Sequence, residues 1–145
     1  DGTIDCIATD HAPHGVLDKN VELAQAAPGM IGLELCVPLL LGLVRSGILP
    51  IARLVDALTA APARVVGIDP PTIREGARAD LVMIDPQASY AIDTAHFKSK
   101  SKNTPFAGRT VTGRVVLTMC EGRIVHEYGP SVVAPGRAPH REEAR

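Results

Sequence analysis

Tryptophan is absent from this sequence, and tyrosine and phenylalanine occur only twice each. Its core must therefore be built from Val, Leu, Ile and Ala. Cysteine is nearly as scarce. Cys6, Cys36 and Cys120 are odd in number, far apart and form no CxxC pair. That disfavours a disulfide framework or a structural zinc knuckle and suits a reducing cytoplasm. No apolar run approaches the roughly 20 residues of a membrane span, and no basic-then-apolar signal segment opens the chain. Charge of one sign is lacking too: 15 Lys plus Arg against 16 acids leave a formal charge of −1, which gives no electrostatic footprint for nucleic acid or anionic membrane. Length is the last shortfall. At 145 residues the chain is too short for a complete (β/α)8 barrel, which takes about 250 residues and rarely fewer than roughly 200. It opens on Asp1, in a segment that reads as mid-domain strand, so a piece of a longer protein is expected.

What is present is an ordinary globular composition, 46% apolar and 21% charged. Residues 4–9 (IDCIAT) read as a short buried strand, and residues 15–29 as a loop ending at Pro28-Gly29. The nearly uniform apolar run 31–46 predicts a helix buried on most sides, with a possible kink at Pro38 and a stop at Gly47. Pro50 suits the first position of a further helical stretch, which Pro62 is expected to split into two short helices. Strand-like segments follow at 79–84, at 90–92 and across 111–125, the last folded into a hairpin at Glu121-Gly122. Helices thus dominate 31–68 and strands 79–128, which places a boundary near 69–78. The Pro-, Arg- and Glu-rich tail, 129–145, is expected to be poorly ordered.

The chemistry concentrates in Thr9-Asp10-His11-Ala12-Pro13-His14. Asp and His at the carboxyl end of a buried strand are where α/β barrels keep catalytic groups. A buried carboxylate there needs a metal, an Arg or several N–H donors; otherwise Asp10 is a local turn cap. His11 and His14 stand three apart, but Pro13 between them makes a shared helical face unlikely, and His11 reads as a surface or supporting histidine. The remaining histidines, His96, His126 and His140, lie in the strand-rich half or the tail, so a catalytic metal, which takes about three protein ligands, is not completed. Pro28-Gly29-Met30-Ile31-Gly32 offers helix-start N–H groups to an anion, or is simply a loop-to-helix connection. Lys98, Lys100 and Lys102 read as a solvated loop, and Cys6 and Cys36 as core residues.

Taken in order, IDCIATDHAPH, PGMIGLE, ADLVMIDP, FKSKSKNTPFAGRTVTG and EGRIV resemble the carboxyl-terminal part of the bacterial dihydroorotase family over about residues 1–128. TDHAPH and SKSKNTPF carry most of the specificity; hydantoinases and allantoinases look less similar at both. The resemblance implies an α/β fold, the carboxyl-terminal piece of a (β/α)8 TIM-barrel amidohydrolase plus part of its flanking β-sandwich. Residues 1–68 would be the last barrel strand and helices, and residues 69–128 the β-sandwich portion. It implies reversible, zinc-dependent cyclisation of N-carbamoyl-L-aspartate to dihydroorotate in pyrimidine synthesis, with two zinc ions in the complete enzyme. Asp10 matches the catalytic aspartate, which is also a zinc ligand. His14 matches the histidine that holds the substrate α-carboxylate, and Pro28 and Gly29 the positions whose main chain faces the pyrimidine ring. Pro28 departs from the usual aromatic and has no N–H, so any donor there comes from Gly29.

The family's H-x-H pair, its bridging lysine, its two later histidine ligands and its carboxylate-binding Arg and Asn have no match here. The chain alone is therefore expected to be inactive and to need the remainder of the barrel as a partner, with a homodimer or an aspartate transcarbamoylase complex as possible assemblies. Two alternatives stand beside this. One is a non-catalytic dihydroorotase-like scaffold subunit of aspartate transcarbamoylase; the other is a hydantoinase- or allantoinase-type cyclic amidase.

Overall fold

A computed structural model describes residues 2–129; the expectation for the tail lies, apart from Gly129, outside the described residues. Helices come first: α1 (Val16–Lys19), α2 (Cys36–Arg45), α3 (Ile51–Leu58) and α4 (Ala60–Val66). An antiparallel sheet follows, made of β1 (Leu81–Ala91), β2 (Thr110–Cys120) and β3 (Arg123–Glu127) in the order β1-β2-β3.

The segment 4–9 is not a strand here. Its Ile7 N–H donates to the Ala57 carbonyl (3.0 Å), Arg53 donates to the carbonyls of Ile4 and Asp5, and Ile4 is 71% exposed. A strand is a ladder of hydrogen bonds to a neighbour, and among the described residues no strand lies beside this one.

Helix α2 starts five residues later than its apolar run predicts. Residues 33–35 first form a turn, in which the Gly32 carbonyl accepts from Leu35 N–H (3.2 Å) and Cys36 N–H (2.9 Å). Pro38 becomes the third helical residue, where an N–H would have no intrahelical partner, so the helix runs through it. The stop at Gly47 is as expected: at φ 74° it lets Ile48 N–H reach the Leu43 carbonyl and its own N–H reach Val44. Burial on most sides is not found. Pro38 and Leu41 are buried, but Leu43 is 39% exposed, because β2 and α3 cover only part of the helix surface.

The second helical stretch does divide, but at Thr59 rather than Pro62. A proline cannot bond to the residue four back and its ring crowds that carbonyl. The chain breaks three residues earlier, at Thr59 (φ −129°, ψ −83°), and Pro62 falls in the first turn of α4. The segments expected as separate strands, 79–84 and 90–92, join into β1. Its pairing with β2 slips between Asp85 and Ser89. There Pro86 lacks a ladder N–H, and the Asp85 carboxylate accepts from the N–H groups of Gln87 (2.8 Å) and Ala88 (3.2 Å). The hairpin at Glu121-Gly122 forms as predicted, with φ of 49° and 76°, the pattern of a tight I′ turn. Asp80 holds it by accepting from Glu121 N–H (2.7 Å).

The core that carries the site is Ile31, Leu35, Ile92 and Val111, with Leu39, Tyr90, Phe97 and Phe106 packed against it. It is aliphatic at the centre, as the scarcity of aromatics requires, and three of the four aromatic residues cover it. Each fully buried aliphatic side chain contributes roughly 1.5–3 kcal/mol. The core thereby anchors two segments distant in sequence, 29–35 and 92–111.

Candidate active site

The stretch 9–14 and the stretch 28–34 lie side by side. His11 pairs with Met30 in parallel sense, and Ala12 N–H donates to the Met30 carbonyl (2.9 Å). Two glycines permit the approach. A Cβ on Gly29, which is also at φ +104°, would stand 2.5 Å from the Ala12 Cβ, and one on Gly32 would stand 2.8 Å from the Thr9 carbonyl oxygen. Both distances are far inside contact, so glycine is required at each.

Asp10 sits at the turn out of the first segment with φ 45°, a left-handed conformation that is uncommon for a residue with a side chain, although Asp is among those that tolerate it. Its side chain is exposed. His14 is half-buried, with Nε2 3.5 Å from where a Gly29 Cβ would be. Of the residues singled out in the sequence, His14 and Gly29 are thus brought together. Pro28 is exposed beside them. His14 lines a cleft of about 700 Å³ whose near wall is Pro13 to Val16 with Lys19 and Asn20, and whose far wall is Lys100 to Asn103. Asp10, Pro28 and Gly29 are not part of its lining. No cluster of three or more His, Cys, Asp or Glu side chains able to hold a metal occurs among the described residues. These residues alone therefore do not fit the zinc that the resemblance implies; Asp10 supplies one donor only.

Four supporting residues were not singled out in the sequence as site residues. His11 is more than a surface histidine: its Nδ1 accepts from the N–H groups of Gly32 (3.0 Å) and Leu33 (3.2 Å). That acceptance requires a bare Nδ1, so the neutral ring carries its proton on Nε2. His11 thereby caps the turn that leads into α2, the task a Ser or Asp side chain usually performs. Lys19 reaches back from α1 to the carbonyls of Ala27 (2.6 Å) and Gly29 (2.8 Å). Asn103 donates from Nδ2 to the same Gly29 carbonyl (3.1 Å) and accepts at its own carbonyl from Ile31 N–H (3.1 Å).

Glu34 is the fourth. Its carboxylate accepts from the Ser99 hydroxyl and from the N–H groups of Lys98 and Ser99. Burial by itself would raise the Glu34 carboxyl. The Ser99 hydroxyl, the two N–H donors and the Lys102 charge together outweigh it and hold the group below the ordinary carboxylate range. Loop 97–103 is solvated, as its lysines suggested, since Lys98, Lys100 and Lys102 are exposed. It is nonetheless tied down at both ends, to Glu34 and to Gly29. Only the presence of both PGMIGLE and SKSKN hinted at this; nothing in their spacing shows that they meet. Cys6 and Cys36 are half-buried rather than core, and burial raises the Cys36 thiol.

Residues 1–125 match the amidohydrolase family. A dihydroorotase of Anaeromyxobacter dehalogenans is 51% identical over 129 residues, 89% of this chain and 30% of the relative. One of Desulforapulum autotrophicum is 53% identical over 127 residues, 88% of this chain and 30% of that relative. The chain thus spans about 30% of the length of these curated relatives. Among solved structures, the L-hydantoinase (dihydropyrimidinase) of Arthrobacter aurescens superposes with a TM-score of 0.82 at 38% identity, covering 91% of this chain and 31% of the hydantoinase. The fold is accordingly an α/β piece of a TIM-barrel amidohydrolase, and by family the chain is an amidohydrolase.

Proposed function

We propose that this chain forms part of a dihydroorotase, which interconverts N-carbamoyl-L-aspartate and dihydroorotate by closing and opening one cyclic amide bond. The observation that carries the site is the juxtaposition of His14 with Gly29 just beyond the strained turn at Asp10. The identity to dihydroorotases, higher than to the hydantoinase, supports the choice of substrate. In this reading residues 1–68 belong to the barrel and residues 69–128 to the β-sandwich, and the protein works in the cytoplasm. Zinc would be held through Asp10 only together with donors from outside the described residues. A homodimer or an assembly with aspartate transcarbamoylase is the quaternary arrangement that goes with it.

The roles follow from chemistry. Asp10, at a turn and open to solvent, is the general base: it takes a proton from the attacking water and returns it to the departing ring nitrogen. His14 donates to the substrate α-carboxylate. Of the Pro28-Gly29 pair only Gly29 has an N–H, and it faces a ring carbonyl.

The test is turnover. The 145-residue chain alone, supplied with zinc, should not hydrolyse dihydroorotate. The complete enzyme should, and Asp10→Asn should lower its kcat by about 10²–10⁴-fold. His14→Ala should raise KM while leaving metal content unchanged. Near-normal turnover in the Asp10 variant would refute its role. A second reading, a hydantoinase-type cyclic amidase, is favoured by the 0.82 TM-score; preference for hydantoin over dihydroorotate by the complete enzyme would replace the first reading with it.

A further inference from the structure

The Gly29 carbonyl is occupied from two sides, by Lys19 Nζ at 2.8 Å and Asn103 Nδ2 at 3.1 Å. A carbonyl oxygen has two lone pairs, so neither is left for a ligand. The Asn103 amide is itself oriented, because the Ser101 hydroxyl donates to its Oδ1 and thereby turns Nδ2 toward Gly29. The Asn103 main chain adds a second tie, its carbonyl accepting from Ile31 N–H. With both lone pairs engaged, the Gly29 main chain has only its N–H left to offer a ligand.

We propose that Lys19 and Asn103 are positioning residues that fix the Gly29 carbonyl away from the substrate, so that loop 97–103 acts as a latch on the ring-binding main chain at 28–30. The proposal rests on the dihydroorotase reading and deepens it. The latch selects for a ring that offers a carbonyl acceptor to Gly29 rather than an N–H donor. It also couples two stretches about 70 residues apart, since loss of either donor frees the carbonyl to rotate and compete for the ring. Neither side chain touches the reacting atoms in this arrangement, so their removal should appear in substrate binding rather than in the chemical step.

The experiment measures kcat and KM for dihydroorotate in the complete enzyme with Asn103→Ala, Asn103→Asp and Lys19→Met. Each Asn103 variant removes the amide donor, and Asn103→Asp in addition places a carboxylate against the Gly29 carbonyl. Lys19→Met keeps the aliphatic stem and loses the charged donor. Expected are KM increases of about tenfold for Asn103→Ala and Lys19→Met, on the scale of one hydrogen bond, and a larger one for Asn103→Asp. The kcat per folded enzyme should stay within about twofold. Lys19→Arg, which retains a charged donor, should restore much of the wild-type KM. A merely structural role would lower the folded fraction, and with it apparent kcat, at unchanged KM; that result overturns the latch. Should the Asn103 variants fail to fold, Lys19→Met decides alone, because it removes the other hydrogen bond to the carbonyl. If the unmodified enzyme does not hydrolyse dihydroorotate, the functional reading fails and the latch with it. If it does and KM is unmoved in the variants, only the latch fails.

Discussion

The three-stranded sheet and the site-bearing segments 9–34 and 97–103 are held together in opposite ways. The sheet is a ladder: β2 and β3 are joined by a two-residue turn, and β1, β2 and β3 pair in succession through main-chain hydrogen bonds. Across it lies Arg114, whose guanidinium stacks on the rings of Tyr90 (3.6 Å) in β1 and Tyr128 (4.0 Å) just after β3. The site is assembled instead by a few individual side chains that bond across segments: His11 to the Gly32 turn, Lys19 and Asn103 to Gly29, and Glu34 to residues 98–99. A ladder tolerates the loss of any one bond. A set of single ties does not, and each break is felt at one place.

The contrast is broken most severely at the glycines. Gly32→Ala places a Cβ against a main-chain oxygen that cannot move aside, whereas Gly113→Ala in β2 meets the end of the flexible Leu41 side chain. Gly32→Ala should therefore cost about 1–3 kcal/mol with a distorted site. Gly113→Ala also suffers from its φ of +107°, but should leave the site intact. Denaturant midpoints together with substrate binding separate the two.

His11→Ala comes next. Loss of the cap should cost about 1 kcal/mol and speed amide exchange at Gly32 and Leu33 while leaving exchange in β2 unchanged. For the sheet, Arg114→Lys keeps the charge but loses the planar stack. It should cost roughly 0.5–1 kcal/mol, read as a small fall in melting temperature without a change in KM.

The Glu34 ties give a pH test. A carboxyl held below its ordinary value in the folded protein contributes stability at pH above its unfolded value and loses it as pH falls through the folded one. Protection of the Lys98 and Ser99 amides should therefore drop on acidification below the ordinary carboxylate range, and Glu34→Gln should remove that pH dependence. Glu34→Gln should leave the sheet's own acid response unchanged, including that of the Glu121 amide, whose acceptor Asp80 is held below the ordinary carboxylate range first of all by that N–H. The smallest effect concerns the thiols: Cys120, exposed at the end of β2, should react with alkylating reagents well before Cys36, whose thiol is raised by burial.

The same contrast explains what was legible in the sequence. Elements defined by neighbours in the chain were readable: the Gly47 stop, the Glu121-Gly122 hairpin, and the succession of helices and then strands. Pro62 was read as an interruption, but not where the break falls, and the bulge at Pro86 was not read at all. A proline states what its own N–H cannot do, and leaves the chain to place the break three residues upstream or to absorb it as a bulge. The strand at 4–9 failed for a related reason, since a strand is a property of its neighbours and none is present among the described residues. At the site, His14 and Gly29, both named from the sequence, lie close together, whereas Lys19, Glu34 and Asn103 were not named. Most of their partners are main-chain groups, which carry no residue identity and leave no trace in a sequence.

The left-handed backbone at Asp10 also decides which substitutions there are interpretable. Asparagine shares with aspartate the short polar side chain that makes φ near +45° tolerable, so Asp10→Asn changes charge at constant main-chain conformation. Alanine or glutamate would alter charge, reach and backbone preference at once, and an inactive variant of either kind would say little about proton transfer. A glycine, at ease in that conformation, would retain the turn and delete only the functional group. Asn and Gly together therefore form a matched pair of controls, one removing the ionisable oxygen and the other the whole side chain, on an unchanged turn.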